Sequence, residues 1–523
     1  MIQCPSCGGG LRFEIETQKM VCDLCGSHFD PQSINTESGD STEVGVNAYD
    51  VAVHICPSCG AELLTNDAND AVGFCPFCGG ASMIFSQIRQ QWKPDAVLPF
   101  KITKEQCKEA YLKEAKKSPF VRNVYRDPAL LESFRGIYMP FWIIDTEFDD
   151  DYEIRVKTYE PDKEFYECQF TGHAKGTARY VHDASLSFSD DISESLAPYP
   201  AKDSKQFSTG YLAGFYTEIA DVSEEEYNEQ VDEIIRANQA VPIICTSAFR
   251  AGVPDGTVVY GLSMEKEMTP SKTQVMRGLF PVWFMSRRNK DTVTYAAVNG
   301  ATGKVAVDLP LSPIKILITA LVAAGLLFLI SLLLPTIKAV ECIGVCAYFM
   351  ASGLLIMENA YQSVMQSKLS MNVPKWKRKV PFLIVLTGLI LTFVFSLFGS
   401  AFLMIIFLFF LIIAMIILSA DAQKINKEMK KPRHLRYRAG LIQEVNKYKP
   451  ARWLFYGLGF TMIAGTVIII LLNPPAAIYM YALCVLMTAN LFGAAFLHIR
   501  FQVRLSMRRP PQMNKKGALY DEN

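Results

Sequence analysis

The segment ICPSCGAELLTNDANDAVGFCPFCGG, residues 55–80, contains two CxxC pairs separated by fifteen residues. A similar segment, QCPSCGGGLRFEIETQKMVCDLCG, occupies residues 3–26, and its pairs are separated by fourteen residues. Four thiolates in two close pairs are typical of a closed tetrahedral zinc site with no open position for substrate. The predicted ligands are Cys4, Cys7, Cys22 and Cys25 in the first segment and Cys56, Cys59, Cys75 and Cys78 in the second.

Glycine follows each of the four pairs, where a knuckle turn needs a residue that tolerates positive φ. Iron in a rubredoxin-like site is the alternative to zinc. About thirty residues cannot build an adequate core alone, so the metal would mainly supply folding energy. We therefore predict two structural zinc ribbons, 1–30 and 54–85, joined by a flexible polar linker at 31–53.

The charge of the ribbons argues against contact with nucleic acid. Residues 1–85 contain two bases, Arg12 and Lys19, against eleven acids. Nucleic-acid binding draws most of its affinity from Lys and Arg at phosphates, so this charge argues against nucleic acid as a partner and favours protein recognition. The fourteen cysteines of the chain include eight at metal spacing, which favours a reducing, cytosolic setting over a disulfide framework.

Residues 86–313 are predicted to form an α+β cytosolic domain dominated by antiparallel strands. A helix is expected at about 104–117 with Thr103 as its cap, and alternation after Trp142 indicates strands. A second helix is expected after Ser223, which forms a capping box with Glu226.

No catalytic motif stands out in this domain, and we predict that the protein is not an enzyme. The segment NGATGKV, 299–305, lacks the spacing of a phosphate loop, and Asn299-Gly300 is interpreted as a hairpin turn. His173, His182 and Asp183 are close in sequence but are interpreted as surface or sheet residues.

The C-terminal part, 314–523, is apolar and basic, with 23 Lys and Arg against 7 Asp and Glu. The connections after alternate hydrophobic runs are basic, and the positive-inside rule then predicts a multi-pass protein of the cell membrane with both termini in the cytoplasm. We predict a transmembrane region of six helices at 314–499 and a basic cytoplasmic tail at 500–523. The hydrophobic runs long enough to cross a bilayer are 316–334, 339–357, 380–398, 400–418, 454–472 and 476–497.

The interiors of these runs are almost purely apolar, whereas carriers and pumps usually place ionisable groups there. The pair Cys342 and Cys346 offers packing and no obvious ion path. An anchor is therefore favoured over a conduit, with the basic loops against lipid headgroups.

The chain resembles a bacterial family described as TFIIB-type zinc-ribbon-containing membrane proteins. The resemblance is carried by the four CxxCG knuckles and by the phrases LPFKITKEQ, YMPFW, GYLAGFYTE and FPVWF…VNGATGKVAVDLP, which cover most of residues 1–310. It implies the eight cysteines as metal ligands and no catalytic residues. It also implies phage-shock-protein-A-like or SPFH-domain proteins as partners in envelope stress.

The predicted fold is thus multi-domain: two small β zinc ribbons, an α+β domain and an all-α region of six transmembrane helices. The expected function is non-enzymatic recruitment or regulation of protein partners at the inner membrane face. Two alternatives stay open. One is a membrane-tethered nucleic-acid-binding regulator, and the other is a small-solute transporter or channel with a zinc-ribbon regulatory domain.

Overall fold

The structure is a computed structural model of the chain. Apart from a few isolated positions, it describes residues 2–33, 48–65, 73–117, 119–159, 166–185, 190–227, 258–266, 271–290, 292–316, 339–368, 435–472 and 477–506. Most of the predicted linker and most of the predicted helix after Ser223 lie outside these residues.

The first cysteine segment folds into a three-stranded antiparallel sheet of β1 (Leu11–Glu14), β2 (Lys19–Cys22) and β3 (His28–Phe29). Leu11 and Phe13 alternate with outward polar residues on β1, and Met20 on β2 is fully buried. This period of two gives the small sheet one apolar face. That face packs on the larger part of the protein, because Phe13 contacts Tyr211 with ring centroids 5.4 Å apart.

A second sheet of twelve strands is the larger of the two sheets in the described residues. The strands are β4 (Ala48–Ile55), β5 (Glu62–Thr65), β6 (Ile84–Trp92), β7 (Ala96–Val97), β8 (Arg135–Tyr159), β9 (Tyr166–Asp183), β10 (Lys205–Gln206), β11 (Tyr216–Thr217), β12 (Val258–Lys266), β13 (Ser271–Asn289), β14 (Thr292–Asn299) and β15 (Val305–Val307). The main path of the sheet runs β10-β7-β13-β8-β11-β5-β4-β6, with β12 and β9 paired to β8 and with β14 and β15 following β13.

In the described part of the β domain, three short helices accompany this sheet: α1 (Lys104–Lys116), α2 (Pro128–Leu131) and α3 (Asp190–Leu196). Thr103 caps α1 in a capping box with Gln106, which satisfies two otherwise unpaired amides. The predicted helix and its cap are confirmed. The predicted dominance of antiparallel strands is also confirmed, since β8 pairs antiparallel with β9, β12 and β13.

Strands β8 and β13 carry the phrases YMPFW and FPVWF and pair with each other, so that Met139 lies opposite Phe280. Their side chains alternate between two apolar cores. Met139 and Phe280 belong to one core, whereas Tyr138 and Leu279 belong to the other. Because successive residues of a strand point to opposite faces, the two cores lie on opposite faces of the sheet.

Each face of the sheet buries one cysteine segment. The core that contains Phe280 also contains all four cysteines of the 55–80 segment. The other core contains Cys4 and Cys22 together with Phe13. Both cysteine segments are therefore built into the β domain through shared apolar cores, and the strand β4 begins within the segment assigned to the linker.

The C-terminal part contains three long helices among the described residues: α4 (Ala339–Lys368), α5 (Leu435–Leu472) and α6 (Ile478–Leu505). In the described residues, two stretches are long and apolar enough to cross a membrane, namely Glu444–Ile469 within α5 and Ile478–Leu505. The prediction of a six-helix transmembrane region is therefore wrong, and a large β-sheet domain accounts for much of the fold.

The error has a physical reason. An apolar run marks a helix that is buried either in lipid or in protein, so the number of runs does not give the number of spans. The run 339–357 lies within α4, which continues through polar residues to Lys368. The runs 380–398 and 400–418 and nearly all of 316–334 lie outside the described residues.

Candidate metal centres

All four CxxC pairs adopt the same backbone turn. In each turn, the first cysteine donates its amide to the carbonyl oxygen five residues later, over 2.6–3.0 Å. The glycine four residues after that cysteine donates its amide back to the cysteine carbonyl, over 2.8–3.0 Å. These glycines are Gly8, Gly26, Gly60 and Gly79, with φ between 69° and 79°.

This positive φ explains why glycine follows each pair. A side chain at such a φ would crowd the following carbonyl oxygen, so glycine adopts the turn at least cost. The turn places the two sulfurs of a pair on the same side of the backbone. The sequence rule for knuckles thus corresponds to a geometry that occurs four times in this chain.

The first site joins the two turns at the ends of the small sheet. Cys4 Sγ lies 3.7 Å from Cys25 Sγ, and Cys7 Sγ lies 3.5 Å from Cys22 Sγ. Cys4 and Cys22 are buried, whereas Cys7 and Cys25 are exposed. Hydrogen bonding between Cys25 and the side chain and backbone of Ser27 lowers the pKa of the Cys25 thiol to about 6, which favours the thiolate form that binds metals.

The second site lies inside the main apolar core. Cys56 Sγ is 3.6 Å from Cys78 Sγ, and Cys59 Sγ is 3.7 Å from Cys75 Sγ. All four cysteines are at most 1% exposed. The β4–β5 hairpin carries the first pair of this site, and β6 follows the second. Phe77, within the second pair, packs on Phe284 of β13 with ring centroids 5.8 Å apart.

The geometry of both groups fits a tetrahedral metal ion. In each group, the four Sγ atoms all lie within 4.8 Å of one another. The backbone also approaches the sulfurs closely. A Cβ added at Gly9 would lie 3.2 Å from Cys22 Sγ, and one added at Gly80 would lie 3.3 Å from Cys78 Sγ. Two tetracysteine groups that could hold metal ions are therefore present, as the spacing predicts. An ion held by four sulfur ligands would have no open position for a substrate.

A third sulfur group lies between the long helices. Cys342 and Cys346 of α4 meet Cys484 of α6, with the three Sγ atoms within 4.8 Å of one another. The sequence alone predicts a packing role for Cys342 and Cys346. Their spacing of four places them on one helix face, but nothing in the sequence indicates that Cys484 joins them.

The other residues singled out by the sequence do not come together as a site. His173 is exposed on β9 and contacts Asp149 and Asp151 of β8. His182, near the other end of the same strand, is buried next to Asp183. Nine residues of extended strand span about 30 Å, so the two histidines cannot share a ligand.

The phosphate-loop-like segment forms the turn between β14 and β15. Asn299 accepts hydrogen bonds from the amides of Ala301 and Thr302 through Oδ1. Its Nδ2 donates to the carbonyl oxygens of Leu196 and Pro198. Asn299 is fully buried, so this side chain joins the turn to the end of α3.

No family model matches the chain, and no solved structure matches it. A protein of Bacillus subtilis (strain 168), described as Uncharacterized protein YdjG, is 27% identical to this chain over 326 residues. The match covers 60% of this chain and 91% of that relative. Nearly the whole relative is therefore similar to part of this chain, and the remaining residues of this chain lie outside the match.

Proposed function

We propose that this chain is a non-enzymatic, membrane-anchored recruitment protein. Zinc in the two tetracysteine sites holds its β domain together, and the outer edge of β6 takes up an extended segment of a protein partner. The observation that carries the proposal is the exposed apolar edge of β6. In the part of the chain that the structure describes, β6 pairs with β4 alone and ends the path of strands.

Zinc is the proposed metal because each site offers four cysteine sulfurs at tetrahedral spacing and no open position. Such closed sites are typical of structural zinc, and iron in the same ligand set would add redox chemistry that nothing else in the site serves. The burial of the second site gives the metal a role in folding. Removing the ion would leave four sulfurs facing one another inside the core.

The β6 edge is suited to pairing with another strand. Its nine residues include four large apolar side chains that are 42–65% exposed: Ile84, Phe85, Ile88 and Trp92. An unpaired sheet edge presents a row of backbone donors and acceptors, and natural proteins usually protect long apolar edges with charge or cover. This strand has one charged residue, Arg89, whose guanidinium lies 3.1 Å from Glu62 on β5. The edge is therefore close to neutral and favours an uncharged, extended partner segment.

The two apolar helices supply the anchor. Glu444–Ile469 and Ile478–Leu505 are long enough to cross a bilayer. We place the β domain in the cytosol, because cysteine-bound zinc needs reduced thiols and because basic residues follow the last helix. The family resemblance favours phage-shock-protein-A-like or SPFH-domain proteins as the partner class.

A photo-cross-linking amino acid at Gln90 tests this proposal in living cells. Gln90 is exposed on β6 and contributes little to the core, so the replacement should leave the fold intact. We expect light-dependent adducts between the full-length chain and a different protein, identified by mass spectrometry. The matched control carries the same amino acid at Glu105, an exposed position on α1, and should give no such adduct.

A second variant separates specific pairing from chance proximity. Ile88→Lys places a charge on the edge and should reduce the Gln90 adduct at least tenfold. Leu24→Lys changes another exposed apolar residue, between Cys22 and Cys25, and should not reduce it. The proposal fails if Gln90 gives no adduct or if Ile88→Lys leaves the yield unchanged. It also fails if the adduct consists of two copies of this chain, since the edge would then serve self-association.

A further inference from the structure

A cluster of three cysteines lies between α4 and α6, far in sequence from the tetracysteine sites. Cys342 and Cys346 are four residues apart and share one face of α4. Cys484 of α6 completes the group, with all three Sγ atoms within 4.8 Å of one another. Cys484 is buried, and the other two are half-buried.

The surroundings of this cluster are apolar and rich in sulfur. Cys484 belongs to a buried group that also contains Met350, Met480 and Met487, with Cys342 and Cys346 packed against it. Among the residues that the structure describes, the potential ligands that come together here are three thiols, without a carboxylate or an imidazole in the group. Thioether sulfurs nearby are neutral, soft donors.

We propose that Cys342, Cys346 and Cys484 form a binding site for a soft monovalent metal ion of the copper(I) class. Soft thiolate and thioether ligands select copper(I), whereas carboxylate and water suit hard cations. Three sulfurs satisfy this ion, which is stable at low coordination number. A structural zinc ion would require a fourth ligand.

Binding of the ion releases protons and involves no redox step. Thiolates, and not thiols, are the form of cysteine that binds metals. Each of the three cysteines therefore loses its proton to solvent as its sulfur forms a bond with Cu⁺. Three protons are released for each ion bound, and no change of oxidation state takes place.

Copper uptake by the full-length protein in detergent tests the proposal. Zinc-loaded protein is titrated anaerobically with Cu⁺ in the presence of bicinchoninate, which competes for the ion. We expect wild-type protein to take up one more equivalent of copper per chain than Cys484→Ser. The matched control, Cys107→Ser, removes a fully buried thiol from α1 and should bind as much copper as wild type.

Cys484→Met distinguishes a ligand from a packing residue. Methionine disturbs the packing more than serine does, but it supplies a soft donor, so it should keep the extra equivalent that Cys484→Ser loses. Equal uptake by wild type and Cys484→Ser would overturn the proposal, and so would loss of the equivalent in both variants. Zinc content is measured in the same samples, so a failure of the proposed zinc sites is detected separately.

Discussion

The hydroxyl of Tyr295 on β14 donates a hydrogen bond of 2.6 Å to the carbonyl oxygen of Phe77, between Cys75 and Cys78 of the second cysteine site. The bond joins residues that are 218 positions apart in sequence. Tyr295 and Phe77 also both pack on Phe284. The second metal site is therefore held by the far end of the β domain, and its stability and that of the sheet should be coupled.

Replacing this tyrosine tests that coupling. Tyr295→Phe leaves a buried carbonyl oxygen without its partner, which should cost about 1–3 kcal/mol of unfolding free energy. We also expect faster release of metal from the second site. Tyr111→Phe is the matched control, because Tyr111 donates a similar buried bond of 2.9 Å to the carbonyl of Tyr125, and neither residue belongs to the core that contains the second site. Thermal unfolding and metal release would be measured on both, and equal release rates would contradict the coupling.

The two metal sites should differ in accessibility. Cys7 and Cys25 of the first site are exposed, whereas every cysteine of the second is buried. We predict two zinc ions per chain by elemental analysis and two phases of release to a chromophoric chelator, each of about one equivalent. Cys7→Ser should abolish the fast phase and leave the slow one. A single phase in the wild-type protein would contradict this assignment.

The knuckle glycines allow a comparison of backbone strain with packing. Gly26 and Gly79 have nearly the same φ, +70° and +69°. A Cβ at Gly26 meets nothing within 4 Å, whereas one at Gly79 lies 3.1 Å from both Cβ and the amide nitrogen of Arg288. Gly26→Ala should cost about 1–2 kcal/mol through the left-handed conformation alone. Gly79→Ala should cost at least about 1 kcal/mol more through overpacking, measured by chemical unfolding of zinc-loaded protein. Equal costs would show that β13 moves away freely.

Local patterns in the sequence predicted the local structure well. The spacing of the eight cysteines matches the two groups that the structure brings together. Thr103 caps the N-terminus of α1 as predicted, and the helix ends within one residue of its predicted C-terminus. Such features depend on neighbours in sequence: a turn, a cap, an alternation. Their physical causes act within a few residues and are therefore visible in the chain itself.

Contacts between residues far apart in sequence could not be predicted from these local patterns. The second cysteine site lies in the main core together with residues of the paired strands β8 and β13, and no local signal in residues 55–80 predicts that pairing. The exposed edge of β6 follows from the order of strands in the sheet. Cys484 joins Cys342 and Cys346 only through helix packing. The prediction of six spans was wrong because the length of each apolar run was interpreted without knowledge of what surrounds the helix.

The exposed histidine of the β8–β9 pair should titrate at a raised pKa. Hydrogen bonds to Asp151 and Asp149 raise the pKa of His173 above its ordinary value of 6.5, because both carboxylates favour the charged imidazole. Its contribution to stability is thus present below pH 6.5 and is lost as the pH rises through the folded value. That contribution is small, because the groups are exposed.

Substitution of Asp151 tests the cause of this shift. Asp151→Asn should move the pKa of His173 back toward 6.5, measured by NMR of histidine-labelled protein, with His173→Gln identifying the signal. Asp150→Asn is the control, since alternation along β8 places that side chain on the other face of the strand. Because Asp149 remains in Asp151→Asn, the shift should be reduced and not abolished. An unchanged pKa in Asp151→Asn would mean that Asp149 alone holds the imidazolium.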